Sequence, residues 1–395
     1  MSRRGFVIVG GAGVAAVAGA LLHGRLSGGA GSSHGGTTGD NSDSTAGSTG
    51  SLLAYDGFFV ATLDSYLELG KPWMTCINSG ETDGCATSVV GARELFEGNV
   101  DGCFAIRCVD GSTILICITM SADDDIPADL ARMMKEVASW TNLRKVRFAE
   151  VYEAGGDEWY ALGQRDDGAF VSTWDELDDG IASDSHDSWS GITDFIVKDH
   201  STAGEVIRAD GSRQSFDVPQ GSFRDYGGTW PDRPALAFPT NGNGSGIILM
   251  RDGTCWSRFE EHDPRGAAIR SWKDIVQCVD GGFVYAAISS DGTVHATPNA
   301  LGSDRDYESC SQCAEELSSW SGIKKLDCRY GNCLGLTFDG NVLYGEFDYE
   351  DDPLLFKTYD LGVSGIADAA LCGNKILTID EYGTVRLATT ARLTS

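Results

Sequence analysis

Hydrophobic and polar positions in the second half of the chain follow one pattern, which returns every 41 to 49 residues. Each copy opens with a tryptophan, runs through an apolar strand-like stretch and reaches an Asp-Gly pair, which a second strand-like stretch follows. The tryptophans are Trp140, Trp189, Trp230, Trp272 and Trp320, and a sixth copy has Val363 in the same place. A repeat of this period that is rich in strand signals predicts the blades of a β-propeller.

Each copy is predicted to supply at least one β-hairpin. The Asp-Gly pair lies between two apolar runs, and glycine tolerates the positive φ that tight hairpin turns need. Apolar and polar residues alternate after the turn, as in Thr293-Val294-His295-Ala296. A lone hairpin is not stable, so we expect the copies to stack and to bury their faces against one another.

Two upstream segments complete the expected ring. The stretch from Cys103 aligns with a later copy when its Cys-Val-Asp-Gly (108–111) is set against that at 278–281, and Ser121-Ala122 then takes the place of the Asp-Gly pair. We count this stretch as a worn first blade, which brings the number to seven. A further strand, 56–62, has no hairpin partner. We expect it to pair into the last blade and close the ring, because an open ring leaves two free sheet edges.

Two helices are expected between strands. One begins at Asp125, with aspartate as the cap and proline in the first turn, and carries an apolar stripe of Leu130, Met133, Met134 and Val137. A shorter helix is predicted over Cys313–Ser319, directly before a repeat tryptophan. Both are expected to pack on the ring.

The first 51 residues predict export and a tether. Arg3 and Arg4 form a short basic start before an apolar segment of small residues, and this start resembles the twin-arginine export consensus. We assign 1–26 to an export signal or an uncleaved N-terminal membrane anchor, 27–51 to a flexible Gly/Ser/Thr-rich linker, and 52–395 to the propeller. The expected location is extracytoplasmic, either secreted or anchored on the outer face of the cytoplasmic membrane. Only an uncleaved N-terminal segment would then contact a membrane.

The formal net charge of the chain is −28. A polyanion repels phosphate backbones and anionic lipid surfaces, so we expect no nucleic-acid partner. Two interpretations of the acidity stay open. It keeps a secreted protein soluble, or it provides an acidic surface for a basic partner.

Twelve cysteines are present, and export would permit disulfides. Three pairs are close in sequence: Cys76/Cys85, Cys310/Cys313 and Cys328/Cys333. The Cys-x-x-Cys spacing of the second pair also occurs in zinc sites, but no second such pair and no suitable histidine accompany it. A local bridge or two free thiols is therefore expected there. Cys108 and Cys278 are predicted to be small buried strand residues.

The pattern W-x-x-I, an apolar strand, then L-x-x-D-G-x-V closely resembles the repeats of the regulator-of-chromosome-condensation family, over about residues 100–393. The match is weak at 229–259, where Arg233 replaces the expected isoleucine. The resemblance implies an all-β fold, a seven-bladed β-propeller with short helical insertions. The founder of the family is a nuclear nucleotide-exchange factor, an activity that we do not carry over to an exported acidic chain. Exported bacterial propellers of this type include inhibitors that bind a secreted enzyme through aromatic loops, and that analogy is one of fold.

No catalytic constellation stands out in the sequence. The six histidines are isolated, and neither H-E-x-x-H nor G-x-S-x-G occurs. Ser321-Gly322-Ile323-Lys324 fits S-x-x-K, but other copies differ at this place, so we expect the start of a strand. The acidic runs 123–125 and 348–352 lack the spacing of an EF-hand loop. We therefore expect no cofactor and no metal site, and we favour a non-catalytic role.

Aromatic residues fall into two groups. The repeat tryptophans are expected to pack between blades. Trp159, Tyr160, Trp174 and Trp256 break the period, and such side chains either form a partner-binding face or fill gaps between irregular blades. We predict a monomeric, non-catalytic binding module for a protein or a cell-envelope polymer, with these four as the binding residues.

Two other classes of function stay open. One is a propeller enzyme, a lyase or hydrolase with its site near the central tunnel, for which His295 is the first candidate. The other is a surface adhesin, whose sister copies in the same genome would differ mainly in their loops.

Overall fold

The fold is available as a computed structural model. It describes residues 53–55, 58–62, 74–76, 91–97, 103–118, 132–133, 136–153, 156–174, 189–198, 203–217, 223–225, 234–240, 246–302, 306–329, 331–348, 354–372 and 375–390. The predicted export segment (1–26) and linker (27–51), with Arg3 and Arg4, lie outside these residues.

Antiparallel strands dominate the described residues. They are β1 (Leu53–Tyr55), β2 (Phe58–Thr62), β3 (Met74–Cys76), β4 (Ala92–Glu97), β5 (Cys103–Cys108), β6 (Thr113–Ile118), β7 (Leu143–Glu153), β8 (Gly156–Arg165), β9 (Phe170–Ser172), β10 (Ile192–Val197), β11 (Ala203–Arg208), β12 (Arg213–Asp217), β13 (Phe223–Asp225), β14 (Ala235–Ala237), β15 (Ile247–Met250), β16 (Cys255–Ser257), β17 (Ile275–Asp280), β18 (Val284–Ser289), β19 (Val294–Pro298), β20 (Ile323–Arg329), β21 (Asn332–Thr337), β22 (Val342–Asp348), β23 (Leu355–Asp360), β24 (Ile366–Cys372), β25 (Lys375–Asp380) and β26 (Val385–Thr390). Two helices, α1 (Pro264–Ser271) and α2 (Tyr307–Ser318), precede the first strands of two sheets.

These strands form seven sheets, numbered here as blades 1 to 7 along the chain. Blade 1 holds β3–β6, blade 2 β7–β9, blade 3 β10–β13, blade 4 β14–β16, blade 5 β17–β19, blade 6 β20–β23, and blade 7 β24–β26 together with β1 and β2. Neighbouring blades contact mainly through their first strands: β4 with β7, β7 with β10, β10 with β14, β15 with β17, β17 with β20, β20 with β24, and β24 with β4. Because blade 7 returns to blade 1, the sheets form a closed ring, and the expected all-β propeller is confirmed.

Strand β2 closes this ring. It pairs antiparallel with β26, with Phe58 opposite Thr390 and Thr62 opposite Arg386. Strand β1 then pairs with β2, so the first and last strands of the described chain share blade 7. The pairing predicted for the segment 56–62 is therefore confirmed, and it covers the sheet edge that the chain would otherwise leave free.

Glycines of the Asp-Gly turns link several hairpins to the next blade. The turns connect the second strand of a blade to its third, and the glycine of each has a positive φ. In four successive blades the glycine carbonyl accepts the N–H of the first residue of the next blade: Gly211 from Ala235 (3.1 Å), Gly253 from Ile275 (2.8 Å), Gly292 from Ile323 (3.0 Å) and Gly340 from Ile366 (3.0 Å). The turn therefore both closes a hairpin and joins two blades.

Two of these glycines form a matched test of this second role. Gly168 and Gly340 have similar φ values, 88° and 77°, but a Cβ on Gly168 meets nothing within 4 Å, whereas one on Gly340 meets Ile366 N at 2.8 Å. We expect Gly168→Ala to lower the free energy of unfolding by about 1 kcal/mol, through the backbone conformation alone. Gly340→Ala is expected to lower it by roughly 3 kcal/mol, because the next blade must also shift. Equal losses in urea unfolding would contradict the joining role.

The structure corrects the register predicted for blade 1. Asp110 and Gly111 form the turn between β5 and β6, where Ser112 N–H donates to Asp110 Oδ1 at 2.9 Å. Cys278, in contrast, lies inside the first strand of its blade. The alignment of 108–111 with 278–281 was therefore wrong, because it matched four residues at a turn with four residues that begin inside a first strand. Blade 1 has its own Asp-Gly turn, and both cysteines are buried, as predicted.

Blade 4 also differs from its predicted register. Ala235, not Arg233, takes the place of the isoleucine, because it pairs with Met250 as Ile275 pairs with Ser289. The position in this blade that corresponds to the repeat tryptophan is therefore residue 232, three residues before Ala235. Trp230, which lies outside the described residues, stands two positions earlier in the sequence.

The helices agree in part with their predictions. Of the helix expected from Asp125, residues 132–133 and 136–137 are described as helical, and Met133 and Val137 are buried. Helix α2 begins at Tyr307 rather than at Cys313. Helix α1 was not predicted, although Asp263 caps it by accepting the Arg265 N–H at 2.9 Å. No helix in the described part of the chain is long and apolar enough to cross a bilayer.

The repeat tryptophans pack between blades, as predicted. Trp140, Trp189, Trp272 and Trp320 are all buried, each in a separate core cluster. The cluster of Trp320, for example, joins Ile288 of blade 5 to Leu326 of blade 6. The core of the protein is therefore a series of apolar layers between neighbouring sheets.

Candidate functional site

Every first strand contains a bulge at the same place. The pairing register shifts by one residue near the start of β4, β7, β10, β14, β17, β20 and β24. The extra residues, which we call the bulge ring, are Arg93, Arg144, Thr193, Leu236, Val276, Lys324 and Ala367. A bulge leaves its extra residue unpaired and re-aims the side chains beside it. Because the first strands contact one another around the ring, the bulge ring surrounds the central axis.

The residue after each bulge forms a second ring, which we call the axial belt. Its members are Glu94, Lys145, Asp194, Ala237, Gln277, Lys325 and Asp368. Most of these side chains bond to the neighbouring blade. The belt therefore connects blades by polar contacts at the centre, where the apolar layers between blades end.

Asp368 is the belt residue that joins the end of the ring to its beginning. Its Oδ1 accepts from Lys325 Nζ of blade 6 at 2.6 Å. Its Oδ2 accepts the backbone N–H of Leu95 in blade 1 at 2.6 Å. One carboxylate therefore holds three consecutive blades.

Asp194 repeats this arrangement on the other side of the ring. It forms an ion pair with Lys145 of blade 2, and its Oδ2 accepts the backbone N–H of Phe238 in blade 4 at 2.7 Å. Gln277 joins blades 5 and 6 through an uncharged side chain. Its Nε2 donates to the Leu326 carbonyl at 2.7 Å, and its Oε1 accepts the Leu326 N–H at 3.0 Å.

Sequence reasoning missed the belt, although a signal for it was present. Lys145, Asp194, Gln277 and Lys325 each stand five residues after a repeat tryptophan, and Asp368 stands five after Val363. Polar residues at a fixed place in an apolar strand indicate a shared role. No residue type predicts the bulge. Without knowledge of it, these positions cannot be distinguished in the sequence from ordinary surface positions.

Burial lowers the pKa of Lys145 to about 8, against an ordinary value of 10.5. The carboxylate of Asp194 opposes this shift, and the guanidinium of Arg147 adds to it. Between these two pH values the unfolded chain binds more protons at Lys145 than the folded chain does. The contribution of Lys145 to stability therefore rises with pH in this window.

We expect this contribution to be visible against Lys145→Met. The free energy of unfolding of the wild type minus that of the variant should increase from about pH 8 to about pH 10.5, with a slope of at most about 1.4 kcal/mol per pH unit. Urea unfolding of both proteins over this range measures the difference. A difference that is flat or falls with pH would contradict the burial of the ammonium group.

The side of the ring that bears the Asp-Gly turns, which we call the turn face, carries exposed apolar residues. Phe338 is 57% exposed, Tyr382 83% and Val109 71%. They lie at the turns of blades 6, 7 and 1, which are neighbours in the ring. Large exposed apolar side chains on adjacent elements are typical of an interaction surface.

Contacts of the turn glycines indicate that these positions form one patch. A Cβ on Gly292 of blade 5 would lie 2.8 Å from the Phe338 ring, so the ring extends over the preceding turn. A Cβ on Gly383, the residue after Tyr382, would lie 3.3 Å from Gly91 Cα. A Cβ on Gly91 would in turn lie 3.9 Å from Val109. Between the turns of blades 6 and 7, Ile366 N–H donates to the Gly340 carbonyl and Glu381 N–H donates to the Gly365 carbonyl, both at 3.0 Å. The patch therefore follows the rim from blade 6 to blade 1.

The bulge ring next to this patch has the opposite charge to the chain as a whole. It includes Arg93, Arg144 and Lys324 and no acidic residue, in a protein of net charge −28. Arg144 donates to the Thr193 carbonyl at 2.7 Å, and Lys324 donates to the Ala367 carbonyl at 3.2 Å. Arg144 and Lys324 thus contact backbone oxygens of the next blade, and neither forms an ion pair with a carboxylate of the described residues.

The four aromatic residues predicted to bind a partner do not form one surface. Tyr160 is only 1% exposed and lies in the core between blades 2 and 3, so its predicted direct contact with a partner is corrected. Trp174 is half-buried against it, with ring centroids 5.0 Å apart. Trp159 and Trp256 are also half-buried, each against a different core cluster. Their packing agrees with the gap-filling alternative, and a binding role for Trp159, Trp174 and Trp256 stays a prediction.

His295, the candidate for the enzyme alternative, is held within its own hairpin. Its Nε2 lies 2.7 Å from Ser289 Oγ, and its ring stacks on Trp272 with centroids 6.0 Å apart. Ser289 is buried. In the described residues, no carboxylate is hydrogen-bonded to the other ring nitrogen of His295, so the Ser–His pair lacks the orienting acid of a catalytic triad.

Among the described residues, no three His, Cys, Asp or Glu side chains are arranged to hold a metal ion. Asp348, the one described residue of the acidic run 348–352, forms an ion pair with Lys357 at 2.6 Å. The run 123–125 lies outside the described residues. Cys310 and Cys313 both lie in α2, one helical turn apart, rather than in a loop.

No protein-family model matches the chain, and no curated protein matches it. Among solved structures, the computationally designed Ika8 protein is similar at a TM-score of 0.42 and 14% identity, over 76% of this chain and 97% of that one. PorZ, a bacterial surface component of the type-IX secretion system of Porphyromonas gingivalis, has a TM-score of 0.37 at 10% identity, over 75% of this chain and 37% of PorZ. Yeast RCC1 (Prp20), bound to Kap60, has a TM-score of 0.37 at 9% identity, over 57% of this chain and 67% of that one. Likeness at this level assigns neither a family nor a function to the chain.

Proposed function

We propose that the chain is an exported or surface-tethered propeller that binds another protein through its turn face without catalysing a reaction. The observation that carries this proposal is the exposure of Phe338, Tyr382 and Val109 on three neighbouring blades. Burying such side chains against a partner removes apolar area from water, which drives most protein association.

We also propose that the repeats are of the regulator-of-chromosome-condensation type. Support for this comes from the tryptophan place, the buried residue three positions later and the Asp-Gly turn, which occupy equivalent places in blades 2, 3, 5 and 6. Export is proposed from the N-terminal segment with Arg3 and Arg4.

The partner is proposed to be a protein whose surface presents apolar side chains beside acidic ones. The apolar patch would receive the former, and the cations of the bulge ring, Arg93, Arg144 and Lys324, would attract the latter. The acidic surface elsewhere on the chain would repel acidic partners that approach in other orientations. An envelope polymer is the other outcome of the test.

The test is capture from envelope and culture-supernatant extracts on the immobilised protein, with bound species identified by mass spectrometry. The double variant Phe338→Ser/Tyr382→Ser removes the apolar rings from the turn face. The control, Leu355→Ser, removes an apolar side chain that is 40% exposed on β23, away from the turns.

We expect one protein to be retained by the wild type and by Leu355→Ser and lost from the double variant. All three proteins must also show the same melting temperature, which separates lost contacts from lost structure. Retention of the same protein by all three, or capture of a polymer alone, would contradict the proposal.

A further inference from the structure

One pair of positions between neighbouring blades recurs around the ring, and at one junction both positions hold cysteine. The third residue after the turn aspartate (after Tyr382 in blade 7) packs against the sixth residue after the position of the repeat tryptophan in the next blade. At four junctions these pairs are apolar and share a core cluster: Phe170/Phe195, Val294/Leu326, Val342/Ala369 and Val385/Leu95. Between blades 3 and 4, Arg213 lies over the Phe238 ring at 5.8 Å.

Between blades 4 and 5 both places hold cysteine. Cys255 begins β16 and Cys278 lies in β17. Both are buried in the same core cluster, and their thiols are close enough to interact with each other. The repeat thus places two sulfur atoms where four other junctions place apolar side chains of one core cluster.

We propose that Cys255 and Cys278 form a disulfide that joins blades 4 and 5 when the chain folds under oxidising conditions. The pairing follows from the equivalence of the junctions and does not depend on the proposed partner. It also differs from every pair that sequence proximity suggests, since 22 residues separate the two cysteines.

The reaction needs a disulfide donor such as oxidised glutathione. One thiol loses its proton and attacks the donor, which releases one reduced glutathione and leaves a mixed disulfide. The second thiolate displaces the remaining glutathione, so that two cysteine thiols are oxidised and one donor disulfide is reduced to two thiols.

The folded protein resists this reaction once both thiols are buried. The neighbouring Cys255 thiol, together with burial, raises the pKa of Cys278. A protonated, inaccessible thiol neither attacks a donor nor meets one. The bridge is therefore expected to form during folding, before blades 4 and 5 close on each other.

Another buried thiol, Cys333, has two candidate partners. It interacts with both Cys328 and Cys313, so these two neighbours compete for it. Cys108 is buried in blade 1 and serves as a control position. Cys255 and Cys278, in contrast, form one pair of thiols on two neighbouring blades.

The test is refolding of the chain from denaturant in a glutathione redox buffer, in parallel with refolding in reductant. Peptide mapping after thiol blocking is expected to find the Cys255 and Cys278 peptides joined in the oxidised sample. The bridge should raise the melting temperature by roughly 5 °C over the reduced protein, because it restricts the unfolded chain.

The matched control is the double variant Cys255→Val/Cys278→Ala, which copies the Val342/Ala369 junction. It is expected to fold and to lose the dependence on reductant, whereas Cys108→Ala should keep it. Folded wild type with these two peptides unlinked, or linked to other cysteines, would overturn the proposal. Failure to fold in the redox buffer alongside folding in reductant would overturn it too, because the bridge would then be incompatible with the fold.

Discussion

Replacing Asp368 by asparagine is expected to lower the free energy of unfolding by roughly 3 kcal/mol. The carboxylate accepts from Lys325 Nζ and from Leu95 N–H, and it is the belt contact that joins blade 7 to blade 1. An amide offers one oxygen where two are used, and its NH₂ group faces a donor. The partly buried ammonium or the backbone N–H is then left without an acceptor.

The control for this change is Asp360→Asn. Asp360 is exposed on β23, and its carboxylate has one hydrogen bond within the described part of the chain, in which it accepts the Gly362 N–H at 2.9 Å, which an amide oxygen can still do. We expect it to alter stability by less than about 0.5 kcal/mol. Adding Lys325→Met to Asp368→Asn should recover part of the loss, because the uncompensated charge is then removed. If urea unfolding finds equal stability for the two asparagine variants, the belt does not hold the ring closed.

Trp320→Ala is expected to lower the free energy of unfolding by about 4 kcal/mol, which is the second large effect. The indole ring packs directly over Gly335, where a Cβ would lie 2.8 Å from ring carbon Cε3. Its Nε1–H donates to Thr358 Oγ1 at 3.1 Å. Truncation leaves a cavity between β20, β21 and the outer strand, because β-sheet backbones cannot close over it.

Trp320→Phe separates the two contributions. The phenyl ring keeps most of the packing but cannot donate the hydrogen bond. We therefore expect the free energy of unfolding to fall by about 1 kcal/mol, the contribution of the bond itself. Tyr382→Ala, an aromatic truncation at an exposed turn, is the surface control and should change stability by less than about 0.5 kcal/mol. Thermal unfolding in which Tyr382→Ala and Trp320→Ala behave alike would contradict the packing role of the repeat tryptophans.

Residues that recur in the sequence predicted most of the fold. The repeat tryptophans predicted the blade period, and the Asp-Gly pairs predicted the hairpins. Turn and core positions restrict residue type most strongly. The unpaired strand at 56–62 predicted the closure of the ring, since a free edge is unfavourable.

Other features depend on pairing register, which a residue pattern does not specify. The Cys-Val-Asp-Gly match at Cys108 joined a turn to a strand, and Trp230 pointed to the wrong isoleucine place in blade 4. A shift of one residue exchanges the two faces of a strand, so a pattern that tolerates such shifts cannot identify the exposed side chains.

The candidate site was the least predictable part for the same reason. The size of Tyr160 suggested a contact residue, yet it lies in a core cluster. Phe338 and Tyr382 are exposed because they stand inside turns, next to glycines with positive φ. Burial of an aromatic ring depends on where neighbouring blades approach, and a single blade's sequence does not contain that information.

The proposal that the turn face binds the partner is tested most directly by hydrogen–deuterium exchange of the protein alone and with the captured partner. We expect slower exchange in the turns around Val109, Phe338 and Tyr382 on binding. Peptides that contain Trp159, which lies near the start of β8 and away from the Asp-Gly turn that follows this strand, should be unchanged. Protection confined to the peptides that contain Trp159 and Trp174, with the three turns exchanging as in the free protein, would contradict it.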